Sequence, residues 1–237
     1  SFDTANEAYT ARYTHETIAL AFAITEEAVE DNLYDRLSTR YTRALARSMS
    51  NTKEVKGANI LNNAFDSTFT FGDGKELCAT DHPTVGGGNF RNELTTSADL
   101  NETSLEQSLI DIAAFIDERG LLVAVQGRKL VIPPALQFVA DRLMASTLRP
   151  GTADNDINAI RNMGMLADGY TVNHYLTDTD AFFIKTDAPN GFKHFERSPV
   201  KTSMEGDFDT GNVRYKARER YSFGVSDPRC VFGSPGA

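Results

Sequence analysis

No tryptophan, only two cysteines and only four histidines occur in this sequence, and no apolar run approaches the roughly 18 residues that a membrane helix requires. The missing tryptophan excludes nothing. Cys78 and Cys230 lie too far apart for a metal-ligand spacing, so free thiols in a reducing compartment are expected rather than a disulfide. His15, His82, His174 and His194 are scattered without i, i+4 partners, and no serine sits in a Gly-x-Ser-x-Gly elbow. Basic residues are outnumbered 24 to 33, a net charge of −9, which argues against binding nucleic acid by bulk attraction and leaves only local contact. The opening SFDTANEAYT lacks the basic and apolar regions of a signal peptide. It also lacks an initiator Met, so an earlier segment is expected to have been cleaved or to lie outside this sequence.

What is there suits a globular chain: 237 residues, 41% hydrophobic and 24% charged, are enough for one large domain or two modest ones. Ile18, Leu20, Phe22 and Ile24 alternate as a strand with one buried face. Thr25 then reads as a helix N-cap with Glu26, Glu27 and Asp31 near the positive end. Val29, Leu33, Leu37, Tyr41, Leu45 and Met49 extend that helix to Ser50 on a four-residue stripe, and a second helical piece is expected over Lys53–Phe65. Residues 69–103 are rich in turn signals. A helix over Leu105–Arg119 stops at Gly120, and strands Leu121–Val125 and Leu130–Ile132 flank a Gln126-Gly127-Arg128 turn. Pro133 and Pro134 end the second strand and open a helix carrying Leu136, Val139, Ala140, Leu143 and Met144. A flexible stretch, 149–155, leads to strands Tyr170–Leu176 and Ala181–Lys185, with Asp178-Thr179-Asp180 as their hairpin turn. Val213–Val225 is the clearest alternating strand. The elements are segregated rather than alternating, which gives an α+β class.

Nothing reactive stands out. Asp81-His82-Pro83 reads as a turn, the alternative being a general base or metal ligand. Gly86-Gly87-Gly88 reads as a loop, because Asn89-Phe90-Arg91 supplies neither the Lys nor the helix of a phosphate cradle. No catalytic residue, cofactor or metal site is expected. Two basic sets carry more weight. Arg36, Arg40, Arg43 and Arg47 share one helix face, and Arg214, Lys216, Arg218 and Arg220 share one strand face. Two readings stay open: solvated faces paired with carboxylates such as Asp35 and Glu219, or contacts between subunits. Nucleic acid is a third for the helix set.

Taken in order, these pieces resemble the major capsid (head) proteins of tailed bacteriophages with the Hong Kong 97-type fold, most nearly the Mu-like major head subunits. Ile18–Ser50 looks like the end of the extended loop and the spine helix, over about 25–50. The run Phe71-Gly-Asp-Gly-Lys-Glu-Leu-Cys-Ala-Thr-Asp-His-Pro83 looks like the Mu-like leucine shortly followed by His-Pro. Leu105–Gly120 and Leu130–Pro134 with its helix look like the axial domain. Ser198-Pro-Val, Gly206-Asp-Phe-Asp and Tyr221-Ser-Phe-Gly-Val225 look like the return strand.

The resemblance implies an extended-loop remnant and peripheral domain over 1–103, an axial domain over 104–186 and a return to the peripheral domain over 187–237. It implies a structural protein rather than an enzyme, assembling as hexamers and pentamers of an icosahedral head shell around the DNA genome. Decoration, scaffold and portal proteins, and weak non-specific contact with packaged double-stranded DNA, are further expected partners. It places the protein in the virion, assembled in the host cytoplasm, with no membrane contact. The alternatives are a small hydrolase with a site around Asp81 and His82, and a bacterial nanocompartment shell of the same fold.

Overall fold

A computed structural model of the chain describes residues 8–31, 34–149 and 156–237, with side chains for all of these but 34–36. The elements run β1 (Glu16–Ile24), α1 (Glu26–Glu30), α2 (Tyr34–Asn62), β2 (His82–Pro83), β3 (Asn89–Phe90), α3 (Glu102–Ala113), β4 (Gly127–Ile132), α4 (Gln137–Ala145) and α5 (Ala159–Asn162). They continue with β5 (Tyr170–Val172), β6 (Phe182–Thr186), β7 (Phe192–Gly206), β8 (Val213–Val225) and β9 (Val231–Ser234). Contacts group these elements into two compact units. A core unit holds residues 1–12, 58–193 and 225–237, and a hairpin unit holds 13–57 and 194–224.

The core unit is built on a sheet of order β5-β4-β6-β9, in which β4 runs parallel to β5 and antiparallel to β6. Its strands are apolar on both faces, as a sheet covered on both sides requires. Leu130, Ile132, Phe182, Ile184 and Phe232 face one cluster with α3, α4 and α5. Phe183, Val231 and Ala181 face a second cluster with Ala64, Leu77, Cys78 and Cys230. A side chain at Gly127 would press within 2.9 Å of both Ile184 and Leu109, so only glycine lets α3 lie this close to the sheet. As the sequence predicts, Pro133 and Pro134 end β4 and open a helical segment, a 3-10 turn that runs straight into α4, with Ala140 and Leu143 buried.

Several expected elements come out differently. The helix break predicted after Ser50 is absent. Nothing in 51–56 competes with helix formation, the Thr52 hydroxyl bonds back to the Ser48 carbonyl at 2.9 Å, and α2 runs on to Asn62, about 43 Å at 1.5 Å per residue. The helix expected over Leu105–Arg119 spans Glu102–Ala113 instead. It begins at an Asn101/Ser104 capping box, and beyond Ala113 the chain folds back on itself, Phe115 accepting from the Val123 N–H and Asp117 closing the turn by accepting from the N–H groups of Arg119 and Leu121. Residues 121–125 are not a strand, Leu121 and Leu122 being 60% and 74% exposed, and Gly127 opens β4 rather than turning. Asp178–Asp180 forms a local turn in which Asp178 accepts from the Asp180 N–H. It is not a hairpin turn, because β4 lies between β5 and β6. Most of the predicted flexible stretch, 150–155, lies outside the described residues.

The hairpin unit is a three-stranded sheet of order β1-β8-β7 packed on α2. β7 and β8 form a long hairpin closed by the Asp207 N–H bonding to the Asn212 carbonyl at 2.8 Å. The predicted N-cap is present: Thr25 Oγ1 accepts from the Ala28 N–H and starts α1.

Candidate assembly surfaces

In β8, strict alternation sorts the side chains. Tyr215, Ala217, Glu219 and Tyr221 face α2, where Ala217 joins Leu45, Met49, Ile18 and Phe22. Arg214, Lys216 and Arg218 are exposed on the opposite face, with Arg220 half-buried beside them. The antiparallel register with β1 sets Ala23, Ala21, Ala19 and Thr17 beside these four in turn. The open face is therefore a ridge of cations along a furrow of small residues.

The second basic set falls on the far side of the layer. Leu45 and Met49 bury one side of α2, and Arg40, Arg43 and Arg47 are exposed on the other. The Arg36 side chain lies outside the described residues, as do Leu33 and the Asp35 side chain. Both outer faces of the helix-on-sheet layer are thus cationic. Among the described residues, Arg40, Arg43, Arg47, Lys216, Arg218 and Arg220 form no ion pair, whereas Arg214 pairs with Asp207.

Glu219 does not serve the strand arginines. It is buried under the sheet and pairs with Lys53 of α2 at 2.9 Å. Lys53 also lies over the Tyr221 ring, 5.0 Å from its centre. Burial first, and the adjacent Glu219 carboxylate second, push the Tyr221 phenol up to about 12. Sequence alternation marks position 219 as inward but gives no sign of its cation, which lies 166 residues away. At the hairpin tip, Phe208 is 100% exposed. An aromatic between Asp207 and Asp209 is the only trace of this in the sequence.

The core unit answers the question of catalysis at Asp81 and His82. Asp81 pairs with Lys75 at 2.7 Å and does not meet His82. His82 is fully buried, stacked 4.9 Å from the Phe90 ring, with Nδ1 2.6 Å from Asp73 and Nε2 3.0 Å from Asn92 Oδ1. The Asn92 orientation is fixed by backbone. Its amide nitrogen donates to the carbonyls of Leu77, Pro228 and Val231, and its oxygen accepts from the Ala79 N–H. His82 Nε2 must therefore donate to Asn92, while Nδ1 faces the Asp73 carboxylate. Burial opposes the Asp73 charge, but the His82 and Lys75 hydrogen bonds hold its carboxyl below the usual range. With both ring nitrogens spent, His82 is a structural cross-brace.

A cavity of about 480 Å³ lies nearby, lined by Phe71, Phe90, Asp117, Glu118 and Arg229, but its ionic groups are tied to one another. Arg229 meets Glu118 and Asp227 and stacks 4.2 Å over Phe90. Gly86–Gly88 leads into β3, not a helix, so it presents no phosphate cradle. Among the described residues no three metal-ligating side chains converge, and no helix is long and apolar enough to cross a membrane.

Comparison with known proteins places this architecture. The fold resembles the capsid of cyanophage P-SCSP1u, with a TM-score of 0.55 and 14% identity over 100% of this chain and 78% of that one. It also resembles the capsid of Myoviridae phage XM1, with a TM-score of 0.54 and 11% identity over 95% of this chain and 74% of that one. For a chain of Mycobacterium phage Che8 the TM-score is 0.51 and the identity 17%, over 94% and 72%. No curated protein matches the sequence. These likenesses establish the α+β Hong Kong 97-type capsid fold. The sequence model of the phage capsid protein family matches residues 8–233, almost the whole described chain, and this protein belongs to that family.

Proposed function

We propose that this chain is the self-assembling major subunit of a tailed-phage head and works without chemistry of its own. As a phage capsid protein it is a structural component of the virion, and self-assembly into an oligomeric shell is its function. Copies join head-to-tail as hexamers and pentamers and close into an icosahedral shell around the genome, through heterologous contacts that repeat until the ring closes. Residues 104–186 form the axial domain at the ring centre. Residues 1–103 and 187–237 form the peripheral domain that joins neighbouring rings. The His82-Pro83 pair in its turn-rich setting supports a likeness to the Mu-like group. Assembly takes place in the host cytoplasm, with scaffold, portal and decoration proteins as further partners and weak, local contact with packaged double-stranded DNA.

The observation that carries this reading is the hairpin unit. A long helix and a long hairpin bury little between them and present cations on both outer faces, as expected of a part completed by neighbours. Arg36, Arg40, Arg43, Arg47, Arg214, Lys216, Arg218 and Arg220 are the proposed intersubunit contacts. The test is electron microscopy of the recombinant chain with light scattering for particle mass. Closed uniform shells, or rings of five and six, are expected. A monodisperse monomer from a chain extended to its natural start would overturn the proposal.

A further inference from the structure

Charge is divided unequally between the two units. The hairpin unit contains 12 Lys/Arg and 12 Asp/Glu and is neutral, whereas the core unit contains 12 and 21, so the whole formal charge of −9 resides there. Within the neutral unit the signs are sorted again. Glu219 is spent beneath the sheet on Lys53, and Glu16 at the start of β1 pairs with Lys56. Along β8, the open face keeps Lys216, Arg218 and Arg220 without an ion-pair partner among the described residues, Arg214 being paired with Asp207. The unmet valence of this cationic ridge is visible at Arg220, whose Nε is shut off from solvent with no acceptor among the described residues. The alanine row of β1 beside it leaves room for another surface to come close to the guanidinium and ammonium groups.

We infer that this ridge docks on the acidic surface of the core unit of a second copy. A heterologous contact needs two different, complementary surfaces on one chain. The acidic excess of one unit and the uncompensated cations of the other supply that pair. Such a contact selects partner orientation, because the two hairpin-unit faces repel each other while ridge and core unit attract. The inference rests on the proposed self-assembly and names the partner surface for the strand half of the proposed contacts. Packaged nucleic acid is the competing occupant. The net charge of −9 disfavours it, because duplex DNA is held chiefly through its phosphates.

Lys216 is the only lysine in the ridge, which makes the test specific. Unlabelled and ¹⁵N-labelled full-length chains would be mixed, assembled and treated with a water-soluble carbodiimide, which links an amine to a carboxylate in direct contact. Mass spectrometry is expected to find Lys216 joined to a core-unit Asp or Glu in peptides of mixed isotope. In parallel, Lys216→Glu/Arg218→Glu should reduce shell yield at least tenfold while circular dichroism stays native, and Lys216→Gln/Arg218→Gln should reduce it less. If the wild-type chain forms no shell, the self-assembly reading fails. If shells form and Lys216 is unlinked or linked within the hairpin unit, or if the Glu variant assembles at full yield, the docking assignment fails alone. Normal shells of the variant that retain less nucleic acid would assign the ridge to the genome and overturn the inference.

Discussion

The core unit and the hairpin unit are held together in different ways. The core unit buries both faces of a four-stranded sheet, with Leu130, Ile132, Phe182, Ile184 and Phe232 on one side and Phe183 and Val231 on the other. The hairpin unit, with residues 34–57 of α2 and its three strands, forms a cluster of only Leu45, Met49 and Ala217, with Ile24 and Tyr221 the other apolar side chains buried there among the described residues. Burial stabilises in proportion to the apolar area removed from water, so the core unit carries its own stability. The hairpin unit has surface in excess of core, which is economical only if neighbours cover it.

Breaking the core unit should have the largest effect. Phe183→Ala removes a ring stacked 5.5 Å from Phe65 and should cost about 3–5 kcal/mol, read as a lower denaturant midpoint. Next, Asn92→Ala strands the Ala79 N–H and three carbonyls, and should cost about 3 kcal/mol in the same assay. In the hairpin unit Met49→Ala should cost only about 2 kcal/mol, because the shallow cluster leaves less to lose. A loss equal to that of Phe183→Ala would erase the distinction between the units. Lys53→Met leaves Glu219 buried and unpaired, but Lys53 is partly solvated, so about 1 kcal/mol is expected by thermal denaturation.

The smallest effect concerns pH and belongs to the core unit alone. Burial, and then the charge of Glu76, raise the Glu93 carboxyl from 4.5 to about 7. The folded chain therefore holds this proton more tightly than the unfolded chain, and stability falls as pH rises from about 4.5 through 7. Asp73 runs the other way: its lowered value gives stability at neutral pH that is lost as pH falls into the acid range. Glu93→Gln should raise Tm at pH 8 by a few degrees and leave it unchanged at pH 5.

The legible parts of the fold were those written in local periodicity. Alternation in Val213–Val225, the stop-and-start of Pro133-Pro134 and the Thr25 cap all depend on neighbours within a turn or a pleat, and all are present. The single helix and apolar stripe expected over 25–50 hold only in part: Val29 and Tyr41 are exposed, Val29 sits on the separate α1, and among the described residues only Leu45 and Met49 of the stripe are buried. What misled was competition between local signals. Gly120 looks like a helix stop, but α3 has already ended at Ala113, and Gly120 sits in a separate turn where Asp117 accepts from the Arg119 and Leu121 N–H groups on either side of it. Asp178–Asp180 turns, yet turn chemistry does not reveal which strand will lie between the two it connects. At the candidate surfaces, the basic rows were legible because each lies on one element. The Glu219–Lys53 pair, the exposed Phe208 and the Asn92 brace were not, since each depends on what tertiary structure brings close or leaves uncovered.

Asn92 has a consequence for engineering. One side chain gathers backbone from residues 77–79 and 228–231, so the turn-rich segment between α2 and α3 is fastened near its base and owes little to its tip. The β2–β3 turn is closed by Thr84, whose N–H bonds to the Gly88 carbonyl and whose own carbonyl accepts from the Gly87 N–H, while a side chain added at Gly87, at a φ of 86°, would meet nothing within 4 Å. A peptide inserted between Gly87 and Gly88 would lengthen a turn whose base is fastened by Asn92, so the core unit should fold around the insertion.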